Sequence, residues 1–267
     1  MLLRTEGIVF KSFPLGEADL ILTILSYDGG FLRAFAKSPR TTKSRFGGAL
    51  EPLSHIRISL MGKEHSDLPR LTQADIIHSY QKLREQFDCF LRISELLEIT
   101  MSLFGEKEHH EGLFQLLVDT LNYIEAEKES DSLRRFLFYK VRVLEKAGLS
   151  PRLQGCARCG ISVGTFYFSE GSVICSKCKD TIADDNRTSG ARLISMGAVN
   201  LYETIRTWSW DKLNRIMPND KLIFELDSFL NLHIKYRIER GLKTRDFMYK
   251  TKTLATSSVN ADKNEIV

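Results

Sequence analysis

The run Asp28-Gly29-Gly30-Phe31-Leu32-Arg33-Ala34-Phe35-Ala36-Lys37 decides the architecture of the first third of the chain. Asp-Gly-Gly is hairpin-turn chemistry, because glycine enters the left-handed backbone region without steric cost. The residues after it alternate. Phe31, Arg33, Phe35 and Lys37 fall on one face, with Leu32, Ala34 and Ala36 on the other. A period of two marks a half-buried strand. Upstream, Ala18–Tyr27 is rich in Ile and Leu, and Leu2–Phe13 carries Ile8, Val9 and Phe10. Downstream, Pro52–Met61 sets Ile56 and Ile58 against His55, Arg57 and Ser59, and Leu68–Ile77 is a fifth run. Five short strands before residue 78 predict a small barrel. An OB-type barrel is the leading reading, and an SH3-like barrel is the alternative.

The pattern changes to helical spacing near residue 78. Gln81–Phe104 places Leu83, Phe87, Phe90, Leu91, Leu96 and Leu97 on a stripe, and a second helix is expected over Gly112–Glu127. A third, capped by Asp131 or Ser132, carries Leu133, Phe136, Leu137, Val141 and Leu144. It ends at Gly148, with Pro151 beyond. Helices resume over Ile194–Arg206 and Asp220–Arg240, the latter with Asn219 as N-cap. The expected class is α+β multidomain. It comprises an OB-fold β-barrel over 1–78, a helical domain over 79–154 and 183–250, and an embedded cysteine knuckle over 155–182. A disordered tail over 251–267 follows, because that stretch has few apolar residues and no period.

The knuckle rests on Cys156, Cys159, Cys175 and Cys178, two C-x-x-C pairs at the spacing of a four-thiolate zinc site. Four cysteines close the tetrahedron, so Zn2+ here would be structural, with no open position for catalysis. Redox pairs or free thiols are the alternatives, but Gly155-Cys156-Ala157-Arg158-Cys159-Gly160 lacks the strand-then-helix setting of a redox motif. Cys89 lies in an apolar helical pattern and reads as a buried thiol.

The net charge of +4 is too small to name a partner, so its placement matters more. Between Asp28 and Glu51 there is no acidic residue, while Arg33, Lys37, Arg40, Lys43 and Arg45 are interleaved with Phe31, Phe35 and Phe46. Cations that meet phosphates, with rings that stack on bases, suit single-stranded nucleic acid. A solvated basic loop over core phenylalanines is the plainer alternative. A second basic stretch, His233 to Arg245, reads equally as a solvated helix face or a DNA contact. Catalytic patterns are not found. Gly47-Gly48 is not a phosphate loop, and His109-His110-Glu111 is not a zinc-protease helix. A non-enzyme is expected. The N-terminal Met1-Leu2-Leu3-Arg4-Thr5-Glu6 lacks a signal peptide's apolar run, and no stretch approaches the ~18 apolar residues of a membrane helix. The expected setting is a reducing cytoplasm.

Gly7-Ile8-Val9, Glu17-Ala18-Asp19, Ala36-Lys37, Arg40, Lys43-Ser44-Arg45 and Gly48-Ala49-Leu50-Glu51-Pro52 resemble the opening of bacterial RecO proteins, which are recombination mediators. The resemblance continues through Gly148-Leu149-Ser150-Pro151 and the four cysteines, over about residues 2–250. It implies an N-terminal OB fold, a helical domain and a zinc knuckle. It also implies binding of single- and double-stranded DNA and annealing of complementary strands. The implied partners are RecR and the acidic C-terminal tail of single-stranded DNA-binding protein, in loading RecA at the nucleoid. The competing reading is a zinc-stapled interaction scaffold whose basic loop meets an acidic partner protein.

Overall fold

The computed structural model describes residues 2–28, 30–41, 44–62, 67–106, 108, 110–126, 132–162, 164–182, 190–213, 215–248, 250 and 251. Lys43, His109, Glu127, Asp131 and the tail from 252 lie outside the described residues. The chain divides into two compact units. The first contains 1–90 and 104–130, and the second 91–103 and 131–267.

The first unit is built on strands β1 (Leu2–Leu15), β2 (Asp19–Ser26), β3 (Gly30–Ala36), β4 (His55–Met61) and β5 (Arg70–His78). They close into a barrel in the order β1-β2-β3-β5-β4. All five strands expected from the sequence are present. Closure depends on the length of β1. Its second half pairs with β2, and its first half pairs with β4. The strand bends where these partners overlap, with a register shift between Val9 and Lys11. Gly7 sits in that bend. A Cβ there would come 2.4 Å from Ile24 Cγ2. β3 and β5 meet in a short parallel pair, Phe35 opposite Arg70 and Ala36 opposite Leu71.

Leu22, Ala34 and Ala36 face inward with Ile56, Ile58, Leu60 and Leu71. A short 3-10 turn, Gly47–Leu50, adds Ala49 and Leu50 to this core, and Phe46 precedes it. Helices α1 (Gln81–Glu85) and α3 (Leu113–Glu125) complete the unit. Phe114 of α3 sets its ring edge-on to Tyr27 and His55. Tyr80 Oη donates to Asn122 Oδ1 at 2.7 Å.

The helix expected over Gln81–Phe104 is interrupted. Gln86 is extended (φ −91°, ψ 100°), so α1 ends there and α2 (Phe87–Leu103) starts anew. Apolar periodicity runs on across such a break, because the stripe does not report backbone angles. Cys89 on α2 is half-buried rather than buried.

The second unit packs residues 91–103 of α2 with α4 (Ser132–Lys146), α5 (Met196–Thr207), α6 (Trp210–Leu213) and α7 (Asp220–Arg237). Gly148, at φ +68°, ends α4 as expected. Leu149 N–H bonds Leu144 O and Gly148 N–H bonds Glu145 O, the paired bonds of a Schellman C-cap. Asn219 Oδ1 accepts from Leu222 N–H at 2.9 Å, as the N-cap expectation required.

At the centre of these helices Lys140 is 2 % exposed. Its ammonium lies 2.9 Å from Asp227 Oδ1, 2.8 Å from Asn231 Oδ1 and 3.4 Å from both Glu95 oxygens. Arg245 adds a second cation to Glu95 at 3.2 Å. The Lys140 ammonium holds the buried Asp227 carboxyl below the usual carboxylate range, against the upward push of desolvation, which is the larger single effect on it.

Two outcomes are expected. Removing one partner of a buried charge cluster leaves the others uncompensated, at a typical cost of about 3–5 kcal/mol. Lys140→Ala should lose about that much in urea unfolding. His233 lies buried, with Nε2 2.8 Å from Leu149 O, and burial pushes its imidazole down to about 4. The unfolded chain, with a histidine near 6.5, binds the extra proton first. This part of the stability is therefore complete above about pH 6.5 and is lost as pH falls toward 4. His233→Gln, which keeps a donor for Leu149, should flatten the melting temperature between pH 6.5 and 5.

Candidate metal centre and nucleic-acid face

The knuckle lies within the second unit. β6 (Thr165–Tyr167) pairs with β7 (Ser172–Ile174) and β8 (Ala191–Arg192). The first C-x-x-C turn is closed on both sides. Cys156 N–H bonds Ile161 O at 2.7 Å, and Gly160 N–H bonds Cys156 O at 2.8 Å. The second turn folds back through Cys178 N–H to Cys175 O at 3.1 Å. The hairpin between them brings the pairs together, and all four sulfurs lie within 4.8 Å of one another. Cys156 and Cys175 are buried beside Tyr167, Ile174 and Ile182.

The donor set fits a tetrahedral metal. Zn–S bonds of about 2.3 Å place sulfurs about 3.8 Å apart. Cys159 and Cys175 Sγ are 3.6 Å apart, far beyond a disulfide's ~2.05 Å, and none of the four cysteines is in a disulfide. Backbone hydrogen bonding at Cys175, then at Arg158 and Cys159, lowers the Cys156 thiol to about 6. The Cys159 and Cys175 sulfurs push Cys178 up to about 12. A divalent cation at the centre would reverse that upward push, because its charge favours every thiolate around it.

The knuckle is held to α7 by rings. Phe166 meets Phe229 edge-on at 4.8 Å, and His233 stacks parallel to Phe229 at 6.4 Å. His233 is therefore a packed core residue, which removes it from the basic face expected over 233–245. Arg240 leaves that face too. α7 ends at Arg237, Glu239 is left-handed (φ 54°), and Arg240 donates to Ser102 Oγ. The backbone N–H groups of Lys243 and Thr244 are bonded by the Glu98 carboxylate, each at 2.9 Å.

The basic segment of the first unit is arranged by register. Thr23 pairs with Arg33 and Ile21 with Phe35, and the alternate pairs Leu22–Ala34 and Leu20–Ala36 point into the core. Arg33 and Phe35 therefore face outward, and Lys37 continues the alternation just beyond β3. Arg33, Lys37, Arg40 and Arg45 are all exposed. Lys43 lies outside the described residues. Asp19 Oδ1 accepts from Ser38 N–H at 2.7 Å and Arg40 N–H bonds Ala18 O, so the loop starts tied to the β1–β2 turn. Arg45 lies over the Phe46 ring at 4.9 Å.

Of the three interleaved phenylalanines only Phe35 reaches the surface. Phe31 is 2 % exposed and sits edge-on to Phe10, and Phe46 is 4 % exposed in the barrel core. Sequence reading missed Lys11. It is exposed on β1 opposite Thr23 and so shares a cross-strand row with Arg33. Only the pairing of distant strands reveals it. His110 packs against Phe104 at 4.5 Å. No helix among the described residues is long and apolar enough to cross a membrane.

A closed five-stranded barrel with exposed cations on its outer face, and a helical part that carries a four-cysteine knuckle, define a two-part α+β protein. The comparisons narrow the class. Residues 1–80 match the family described as recombination protein O N terminal, and 85–246 match recombination protein O C terminal. A DNA repair protein RecO from Thermodesulfovibrio yellowstonii is 42% identical over 234 residues, 86% of this chain and 91% of that one. One from Frankia casuarinae is 31% identical over 251 residues, 92% of this chain and 97% of that one. One from Desulforamulus reducens is 28% identical over 252 residues, 92% and 93% of the two chains. The chain belongs to the RecO family of DNA repair proteins, with the OB-fold barrel and helical part expected of it. Its role is in recombination repair.

Proposed function

We propose that this protein is a non-catalytic recombination mediator that binds single- and double-stranded DNA, anneals complementary strands and, with RecR, helps load RecA onto DNA coated by single-stranded DNA-binding protein. The observation that carries the reading is the set of outward cations on the barrel, Lys11 and Arg33 in one cross-strand row and Lys37 beyond it, continued by Arg40 and Arg45 on an anchored loop. Lys43 belongs to the same proposed set on sequence grounds. These side chains hold phosphates and read no bases, so binding is sequence-tolerant and weakens with salt. Annealing follows from the same charge, because cations lower the repulsion between two approaching strands.

Residues 1–78 are the proposed DNA-binding domain, and the helical part carries the knuckle as a staple. Cys156, Cys159, Cys175 and Cys178 are the proposed ligands of one structural Zn2+. The acidic tail of single-stranded DNA-binding protein is a proposed partner. A groove of about 780 Å³ in the second unit suits such an acidic segment, with Phe168, Leu232 and Tyr236 beside Arg192, Lys235 and Arg240, three cations against the single acid Glu239. The proposed place of action is the bacterial cytoplasm, at the nucleoid. The scaffold reading, in which the basic loop meets an acidic protein, predicts negligible DNA affinity with retained partner binding.

Two measurements test these assignments. In titrations of a fluorescent single strand, each phosphate contact adds roughly 0.7 to the slope of log K against log salt. Changing Arg33, Lys37, Arg40 and Arg45 to Ala together should lower that slope by about 3. Unchanged affinity at low salt would sink the site. Elemental analysis should find about one zinc per chain, as a closed four-thiolate site requires. Cys175→Ser should lose the metal and, because thiolate binding is worth roughly 10–16 kcal/mol in zinc-finger peptides, unfold the second unit at lower temperature. Full zinc content in that variant would overturn the assignment.

A further inference from the structure

We infer that the row Phe13–Ile21–Phe35 on the outside of the barrel is a stacking platform for the bases of a single strand, and that it gives this face a preference for single-stranded over duplex DNA. The inference deepens the DNA-binding reading above and rests on it. The row is defined by register. Phe13 pairs with Ile21 across β1–β2, Ile21 with Phe35 across β2–β3, and Phe35 with Arg70 across the parallel β3–β5 pair. The neighbouring rows, Leu22–Ala34 and Leu20–Ala36, fill the core, so this one points out.

Phe13 is 53 % exposed, although it lies within β1 and is paired with β2. Ile21 and Phe35 are half-buried and Arg70 is exposed. An isolated exposed ring needs no explanation. Two rings in one row, bracketed by cations, are a different matter. Lys11 and Arg33 flank the row on one side, Lys37 and the anchored Arg40 on the other, and Arg70 ends it.

Strands lie about 4.8 Å apart, so the two rings are about 10 Å apart, which leaves each free to take a base. Lys11 and Arg33 sit about 7 Å to one side and Lys37 about 7 Å to the other, within reach of a backbone crossing the strands. The charge complementarity commits the face to a polyanion. The flat apolar row between the charges commits it to one whose bases are unpaired, because a duplex keeps its base faces stacked inside. Two carboxylates lie at this end: Asp19, whose Oδ1 accepts from Ser38 N–H, and Glu17, exposed in the β1–β2 turn.

The test uses the whole chain and two probes, a fluorescent oligothymidylate and a duplex of the same length. Phe13→Ala should weaken single-strand binding roughly 5- to 100-fold, the range for loss of one stacked base, and leave duplex affinity within about twofold. Phe13 is exposed, so its removal spares the barrel core. Phe35→Ala is read only alongside an unchanged melting temperature. Phe13→Trp adds a direct signal. Its fluorescence, above the background of Trp208 and Trp210, should be quenched by the single strand and not by the duplex. Unchanged single-strand affinity in Phe13→Ala, or an equal loss on both probes, would overturn the platform while leaving the cation site standing. A wild-type chain that binds neither probe would overturn the underlying reading and the platform with it.

Discussion

The first unit depends on one register, that of β2 against β3, with Leu22 opposite Ala34 and Leu20 opposite Ala36. Side chains alternate between the faces of a strand, so a slip of one residue would turn Arg33 and Phe35 inward and expose the alanines. A guanidinium in a dry core costs far more than any compensating contact supplies here. Burial of Ala34, Ala36, Leu22 and Ile24 therefore dictates which side the cations take. The binding face is in this sense a consequence of the core. Its opposite edge is set the same way, because the bend of β1 at Gly7 lets one strand serve both β2 and β4 and carries Lys11 and Phe13 onto the outer surface.

The second unit is organised on a different principle. Its helices meet around charge as well as apolar surface. Lys140, Asp227, Asn231, Glu95 and Arg245 join α2, α4, α7 and the segment that follows α7. Two acids and two bases balance there, and Asn231 donates to Asp227 at 2.8 Å. Buried charge of this kind favours one arrangement of partners over others, because any shift strands an ion without a counter-charge. The knuckle is attached by packing instead, through Phe166, Phe168, Phe229 and His233. The neutral imidazole of His233 suits that apolar setting.

Much of this was legible in the chain. Two of the five strands showed as period-two runs and the others as short apolar-rich runs, and the end of α4 and the start of α7 showed as Gly148 and Asn219. The cysteine cluster was legible because C-x-x-C is a local turn that sets two sulfurs on one side whatever surrounds it. The cations Arg33 and Lys37 could be assigned to one face from alternation alone. Other expectations failed where distant contacts overrule local pattern. Phe31 and Phe46 stand beside the cations in the sequence, yet Phe10 and the barrel core claim them. His233 looked like part of a basic face, yet the knuckle covers it.

What the sequence by itself determined is whatever repeats at short range: strand and helix periods, caps, the two cysteine turns and the one-sided charge between Asp28 and Glu51. Those features follow from backbone geometry and side-chain chemistry within a few residues of each other. Tertiary structure alone decided which strands became neighbours. That pairing placed Lys11 and Phe13 beside Arg33 and Phe35, from segments joined only through a hairpin. It also gathered Glu95, Lys140 and Asp227 from three helices. No local pattern contains such information, because it arises when separate apolar faces find a common core and carry their polar faces with them.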